Sequence, residues 1–353
     1  AATLKGATLW ARALTGVLPT LAFVGLALVR LERSRPRGTV LAVVATLVAT
    51  PLLSYGKLAY GHALCMALLY VGVSALIDAP KRTSRELWML LGGLCSGLAV
   101  TVEYTAAFAG LPIAVFLVVR ASRSERPGLS AWVDPAIATA GALLAVGGLL
   151  AYHKAAFGGV FETPYHHVVD AGFAEIHGKG LLGLSLPTRA TIREHLFSAW
   201  GGLLPWAPVA VVAFGALAVG AVRRDLNDDE WLWLGIFTTL LAVNLGLSQS
   251  GGWRVGPRYL VLAFPAIAHG LGYAMSIGRS GDGAKARGLR GWILMAVALA
   301  ATTGMLSNAL AATYWPHLVP LGEPITDQLM PLLRMGRSTY GLPSTAVLVL
   351  TAA

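Results

Sequence analysis

The chain alternates between apolar runs and short polar breaks. The runs fall near residues 13–30, 38–54, 58–78, 87–102, 105–119, 135–152, 203–222, 231–247, 259–277 and 291–312, and a helix needs roughly 20 apolar residues to cross a bilayer. Several runs are at the short end and contain glycine, so tilt or burial among neighbours must make up the length. The pattern predicts an all-α polytopic integral membrane protein with about ten transmembrane helices. In chain order it divides into helices over 1–152, a long polar break over 153–202, further helices over 203–312, and a tail over 313–353 that ends in STAVLVLTAA, the start of another span.

Composition supports this division. Mean hydropathy is +0.66, and 56% of residues are hydrophobic against 12% charged, whereas a soluble domain carries about 25% charge. The net charge of +10 would point to nucleic acid in a soluble protein, but here it follows from topology. Taking alternate breaks as one side of the membrane collects Arg30, Arg33, Arg35 and Arg37, then Lys81, Arg82 and Arg85, then Arg120, Arg123 and Arg126, then Arg223 and Arg224, then Arg279, Lys285, Arg287 and Arg290 in short, dense loops. Basic loops of this kind are cytoplasmic, so no nucleic-acid partner is expected. The chain then starts on the outer side, which implies a preceding span; alternatively Lys5 and Arg12 flank a signal anchor and the orientation reverses. Cys65 and Cys95 lie inside apolar runs, and no zinc-ligand spacing is present, so no metal site is expected.

With the basic loops inside, the unusual chemistry collects outside. The break over 153–202 holds five of the eight histidines, together with Glu162, Tyr165 and Asp170, and a loop this long in a compact fold is functional or disordered. Residues 191–198 within it read as a short interfacial helix. Elsewhere the outer breaks are tight. Tyr55 and Lys57 follow the Thr50–Pro51 kink, Glu103 and Tyr104 form a helical hairpin, and Trp253, Arg254, Arg258 and Tyr259 lie in GGWRVGPRYL. That last stretch reads either as a lipid-phosphate site or as an interfacial loop held by aromatic anchors and snorkelling arginines. Glu103 reads as a hairpin cap paired with Lys57 or Arg258, or as a general base. His62 reads as a sugar or phosphate ligand or as a helix-to-helix hydrogen bond. His269, near mid-span, reads as a hydrogen-bonded core histidine. RRDLNDDE (223–230) and RSGDGAKARGLR (279–290) read as solvated connectors.

Four segments in this order, ATPLLSYGKLAYGHAL (49–64), TVEYTAA (101–107), YHKAAFGGVFETPY (152–165) and GGWRVGPRYL (251–260), resemble bacterial multispanning glycosyltransferases of the GT-C superfamily. They are similar to the protein mannosyltransferases and the lipid A aminoarabinose transferase. The resemblance implies an inverting transferase, facing outward from the bacterial inner membrane. It takes a sugar from a polyprenyl-phosphate-sugar donor and passes it to a glycan, lipid or protein acceptor. The family's acidic residue after its first span has no counterpart, so a first span and first outer loop are expected to be missing. On this reading Glu103, Glu162 and Asp170 are the carboxylates available as base. Lys57, Arg254 and Arg258 neutralise the leaving phosphate, and Tyr55, His62, Tyr104, Tyr165, His166, His167, Trp253 and Tyr259 line the sugar or acceptor pocket. A divalent ion at His166 and His167 lacks a third ligand fixed by spacing. The alternatives are a membrane transporter or lipid flippase, and a non-catalytic fragment that binds the lipid carrier.

Overall fold

The computed structural model describes residues 2–126, 128–169, 183–247, 256–277, 284–313 and 322–334. Their secondary structure is helical, apart from one antiparallel bridge between Leu184 and Leu247. Helix α1 (Ala2–Arg12) continues through a π-helical turn (Ala13–Val17) into α2 (Leu18–Ser34), followed by α3 (Thr39–Val48), α4 (Leu52–Tyr55), α5 (Gly61–Asp78) and α6 (Arg85–Val102). A 3-10 turn (Tyr104–Ala109) leads into α7 (Gly110–Ser122), and α8 (Val133–Phe157) follows. Beyond the long break come α9 (Arg189–Phe197), α10 (Leu203–Trp206), α11 (Val209–Arg223) and α12 (Asp228–Gly246). A second 3-10 turn (Arg258–Ala263) then opens α13 (Pro265–Ser276), before α14 (Ala284–Thr313) and α15 (Met330–Arg334).

Among the described residues, six helical stretches are long and apolar enough to cross a membrane: Thr3–Ser34, Gly61–Lys81, Arg85–Val102, Tyr104–Ser122, Gly128–Phe157 and Gly288–Thr313. Helices α3 and α11 are shorter apolar helices. The chain is therefore an all-α polytopic membrane protein.

Proline breaks two of the runs. Over 38–54, Pro51 has no N–H to continue the ladder, and the Thr50 hydroxyl donates to the Thr46 carbonyl at 2.6 Å while accepting from Leu52 N–H at 3.2 Å. Helix α3 ends there and α4 is a single turn. Over 203–222, Pro208 pushes Ala207 out of the helical region (φ −141°, ψ 59°), as the residue before proline requires.

Small residues set the packing of the long helices. A Cβ on Gly93 would run into the Ala138 carbonyl, one on Gly97 would meet Ala142, and one on Gly141 would meet the Leu90 carbonyl. Helices α6 and α8 thus touch backbone to backbone, the small-residue packing that takes the place of the hydrophobic effect in lipid. On its neighbouring face α6 meets α5, where Gly72 lies against Gly92 and Ser96. Helix α5 is consequently among the most buried of the spans, whereas Gly147 and Gly148 of α8 face open space.

These spans separate two ends. Helix α5 carries His62 in its first turn and Asp78 at its last residue, about 24 Å apart at the α-helical rise of about 1.5 Å per residue. At the Asp78 end, the segment read from sequence as a solvated connector is instead a buried ion-pair network. Arg30 donates to Asp78 at 2.7 Å and to both oxygens of Asp229 at 2.9 and 2.8 Å. Arg35 grips Glu230 at 2.7 and 2.9 Å, and Glu230 also closes a capping box with Asn227. The Tyr273 hydroxyl donates to Asp225 at 2.6 Å. The acidic residues that open α12 are turned onto the arginines that close α2, and that pairing is invisible in either segment alone.

Candidate functional site

The opposite end collects most of the ionisable groups singled out from the sequence. Helix α6 stops because Glu103 is extended (φ −142°, ψ 116°), and the Ala106 N–H donates to the Glu103 carbonyl at 2.9 Å, reversing the chain without a loop. The Glu103 side chain makes no capping bond, and its direct partner is His62 rather than Lys57 or Arg258. His62 Nδ1 lies 3.0 Å from Glu103 Oε1, close enough for an ion pair but not aligned as a hydrogen bond. The imidazole sits in an aromatic box, stacked on Tyr60 with a centroid separation of 6.1 Å and edge-on to Tyr55 at 5.4 Å and Tyr259 at 6.0 Å.

Arg258 enters this box through the Gly-Pro turn. Gly256 has φ +73°, where any side chain is strained, and a Cβ there would strike Pro51. Its N–H donates to the Trp200 carbonyl at 2.7 Å. The turn aims Arg258 inward, with its guanidinium 4.8 Å from the Tyr259 ring centroid and Nη2 donating to the Tyr259 hydroxyl at 2.7 Å. Nε is buried and has no hydrogen-bond partner. Burial works against the charge, but Tyr259, Tyr55 and Glu103 outweigh it and hold the guanidinium pKa above its ordinary value. Trp253 and Arg254 of the same stretch lie outside the described residues.

Tyr165, on the short turn Pro164–His167, packs edge-on to Tyr104 at 6.0 Å. Burial first, then Tyr259 and Glu103, push its phenol up to about 12, which places it within electrostatic reach of the Glu103–Arg258 cluster. The Tyr104 hydroxyl lies 2.9 Å from His153 Nε2, and His153 Nδ1 lies 3.3 Å from the Val160 carbonyl. A carbonyl only accepts, so Nδ1 carries a proton toward Val160.

Two expected residues turn elsewhere. His166 and His167 face Glu162 at 3.5 and 3.7 Å in a half-exposed cluster, with His167 stacked on Phe157 at 5.0 Å. The Thr163 N–H donates to His166 Nδ1 at 3.2 Å, leaving the proton on Nε2. Asp170 lies outside the described residues. Lys57 sits on the loop between α4 and α5, over which Gly16 of the π turn closes against the Gly56 and Leu58 carbonyls. Burial, then Arg12, lower its ammonium pKa to about 8.

From sequence, His153 falls at this end among the histidines of the long break but has no assigned role, and Tyr60 has none either. Each had a local signal, since Tyr60 opens the helix that carries His62 and His153 is adjacent to Tyr152 where an apolar run stops. The deep His269 is bonded to the Tyr70 hydroxyl at 3.1 Å.

Chemically, this end combines a carboxylate–imidazole pair able to take a proton, a half-buried guanidinium able to meet an anion, and phenols able to hydrogen-bond sugar hydroxyls. Fold and site together define an all-α polytopic membrane protein with a polar, aromatic-lined cluster at one end of its helices. No protein-family model matches the chain, and neither the curated proteins nor the solved structures include a significant match to it.

Proposed function

We propose that the protein is a glycosyltransferase that moves a sugar from a polyprenyl-phosphate carrier to an acceptor, in the bacterial inner membrane with the Glu103–Arg258 end outward. The observation that carries this reading is the meeting of a half-buried arginine, its Nε buried and unpaired, and a carboxylate–imidazole pair in one aromatic-lined cluster at the helix ends. In the reaction the acceptor hydroxyl gives its proton to the His62–Glu103 pair as its oxygen bonds to the sugar C1. The C1–O bond to phosphate breaks, and its electron pair remains on the phosphate oxygen. Arg258 meets that developing charge with a fixed donor, as electrostatic stabilisation requires. Lys57, beside Arg12, adds a second cation whose repulsion by Arg12 an anionic headgroup relieves. Tyr55, Tyr104, Tyr165 and Tyr259 face the sugar. Arg254, Trp253 and Asp170 join these roles on sequence position alone. A transport reading has less support, because the ionisable groups singled out from the sequence gather at the helix ends, and the deep His269 is held through Nε2 by the Tyr70 hydroxyl.

The test uses membranes carrying the full chain and a radiolabelled polyprenyl-phosphate hexose, with transfer of label out of the lipid fraction as readout. Arg258→Ala and Glu103→Gln are expected to lower transfer by about 10²-fold or more while the protein remains membrane-inserted. Wild-type transfer in Arg258→Ala removes that arginine from the site. Binding of the labelled lipid by the wild type without any transfer replaces the transferase reading with a carrier-binding one.

A further inference from the structure

The second end of the molecule holds a groove between α7 and α12, with a volume of about 1260 Å³. Its walls run from Leu111 on α7 to Arg123 at that helix's C-terminal cap, and from Asp228 to Thr239 on α12, each about 17 Å at the α-helical rise. That length is a little over half of the roughly 30 Å hydrocarbon core, so the groove reaches from one membrane boundary to mid-depth, the span of one leaflet. The apolar wall is open sideways, since Leu111, Val115 and Trp231 are exposed, and Trp231 stands near the charged end, where tryptophan anchors to headgroups.

The rim is charged, with four arginines and two aspartates among the lining residues. Arg85 is paired internally, its Nε donating to Asp134 at 2.7 Å. The remaining three arginines face a single aspartate, Asp228. Arg120 donates to the Leu76 and Ile77 carbonyls at 3.2–3.4 Å, and among the described residues neither it, Arg123 nor Arg224 has a carboxylate within ion-pair distance. Arg224 is held at the rim by a left-handed backbone conformation (φ 58°), uncommon for a residue with a side chain.

We propose that this groove binds one anionic phospholipid of the leaflet at that end, with an acyl chain between α7 and α12 and the phosphate on Arg120, Arg123 and Arg224. A leaflet-long apolar wall selects a lipid over a free phosphate, and the surplus of arginines selects an anionic headgroup over a zwitterionic one. This site is independent of the glycosyl-transfer reading, being at the other end of the helices.

The test is native mass spectrometry of the purified full chain in neutral detergent with an equimolar mixture of phosphatidylglycerol and phosphatidylcholine of identical acyl chains. The wild type is expected to retain phosphatidylglycerol preferentially, and Arg120→Gln/Arg224→Gln to lower that preference about tenfold. Gly235→Phe, placed in the groove wall where a Cβ already approaches Pro112 at 3.1 Å, is expected to reduce retention of both lipids. Equal retention of the two lipids by the wild type overturns the proposal. So does an unchanged preference in a monodisperse arginine double variant, or equally effective competition by inorganic phosphate.

Discussion

Replacing Arg30 by methionine removes a charge while keeping an unbranched apolar stem in the same space. Arg30 is 7% exposed and its partners Asp78 and Asp229 are 20% and 14% exposed, so all three charges are largely desolvated. The substitution strips three charge-assisted bonds of 2.7–2.9 Å and leaves two carboxylates with no cation at ion-pair distance, Arg33, Lys81 and Arg82 lining the same cleft without bonding them. Breaking a buried pair in this way costs about 3–5 kcal/mol, whereas an exposed pair would cost about 0–1 kcal/mol. Unfolding of the purified protein in mixed detergent with increasing dodecyl sulfate, followed by circular dichroism, measures the difference. The same background carrying Asp78→Asn and Asp229→Asn separates lost attraction from stranded charge, because contacting residues are non-additive. Neutralising the carboxylates is expected to restore more than half of the loss. A loss below about 1 kcal/mol for Arg30→Met, or strictly additive effects of the three changes, refutes the buried-network account.

Two further outcomes follow from other parts of the molecule. Lys57 titrates near pH 8, so it is charged below that pH and neutral above it. The affinity for a polyprenyl-phosphate hexose, a diester whose single charge does not change in this range, is expected to fall about fivefold between pH 7 and pH 9 by tryptophan fluorescence titration and to stay level in Lys57→Arg; an equal fall in both variants excludes Lys57. At the α6–α8 contact, Gly93→Leu drives a side chain into the Ala138 backbone and is expected to cost about 1–3 kcal/mol or more in the dodecyl sulfate unfolding assay, while Gly148→Leu, with nothing within 4 Å, is expected to be near neutral; equal effects contradict the close packing.

The helical architecture was legible because hydropathy and span length are properties of single segments. The breaks at Pro51 and Pro208 were less legible, since a hydropathy run continues through a proline that the backbone cannot follow. Pairing was the least legible. From sequence, Glu103 had Lys57 and Arg258 as natural partners because opposite charges are the obvious match. The fold instead sets His62, from the first turn of α5, against it, and leaves Arg258 to act through space and through Tyr259. The same limit explains Asp229 and Glu230. A charge run at a helix N-terminus usually reads as solvated, and only the position of α2 beside it shows that Arg30 and Arg35 fill the space where water would be. His166 and His167 were grouped with the site by adjacency to Tyr165, but a short turn sends consecutive side chains in different directions, and these two face Glu162.

The contrast between the two ends bears on where function lies. At the Asp78 end, each buried charge of the network has partners at 2.7–2.9 Å, and Glu230 also closes a capping box, so the pairing is complete within the protein. At the Glu103 end, Arg258 Nε and His62 Nδ1 are buried without hydrogen-bond partners among the described protein groups. An unsatisfied buried polar atom costs about 1–3 kcal/mol; Trp233 Nε1, one turn beyond Asp229, and His269 Nδ1 at depth are unpaired as well, so what sets the Glu103 end apart is that one of its unpaired atoms belongs to an arginine. Gly256, held at a positive φ that other residues adopt only under strain, keeps Arg258 turned into this incompletely satisfied cluster. An anion that accepts from the guanidinium would complete the pairing that the protein leaves open at Arg258, and this is the physical reason the proposed ligand recognition is placed at the Glu103–Arg258 end.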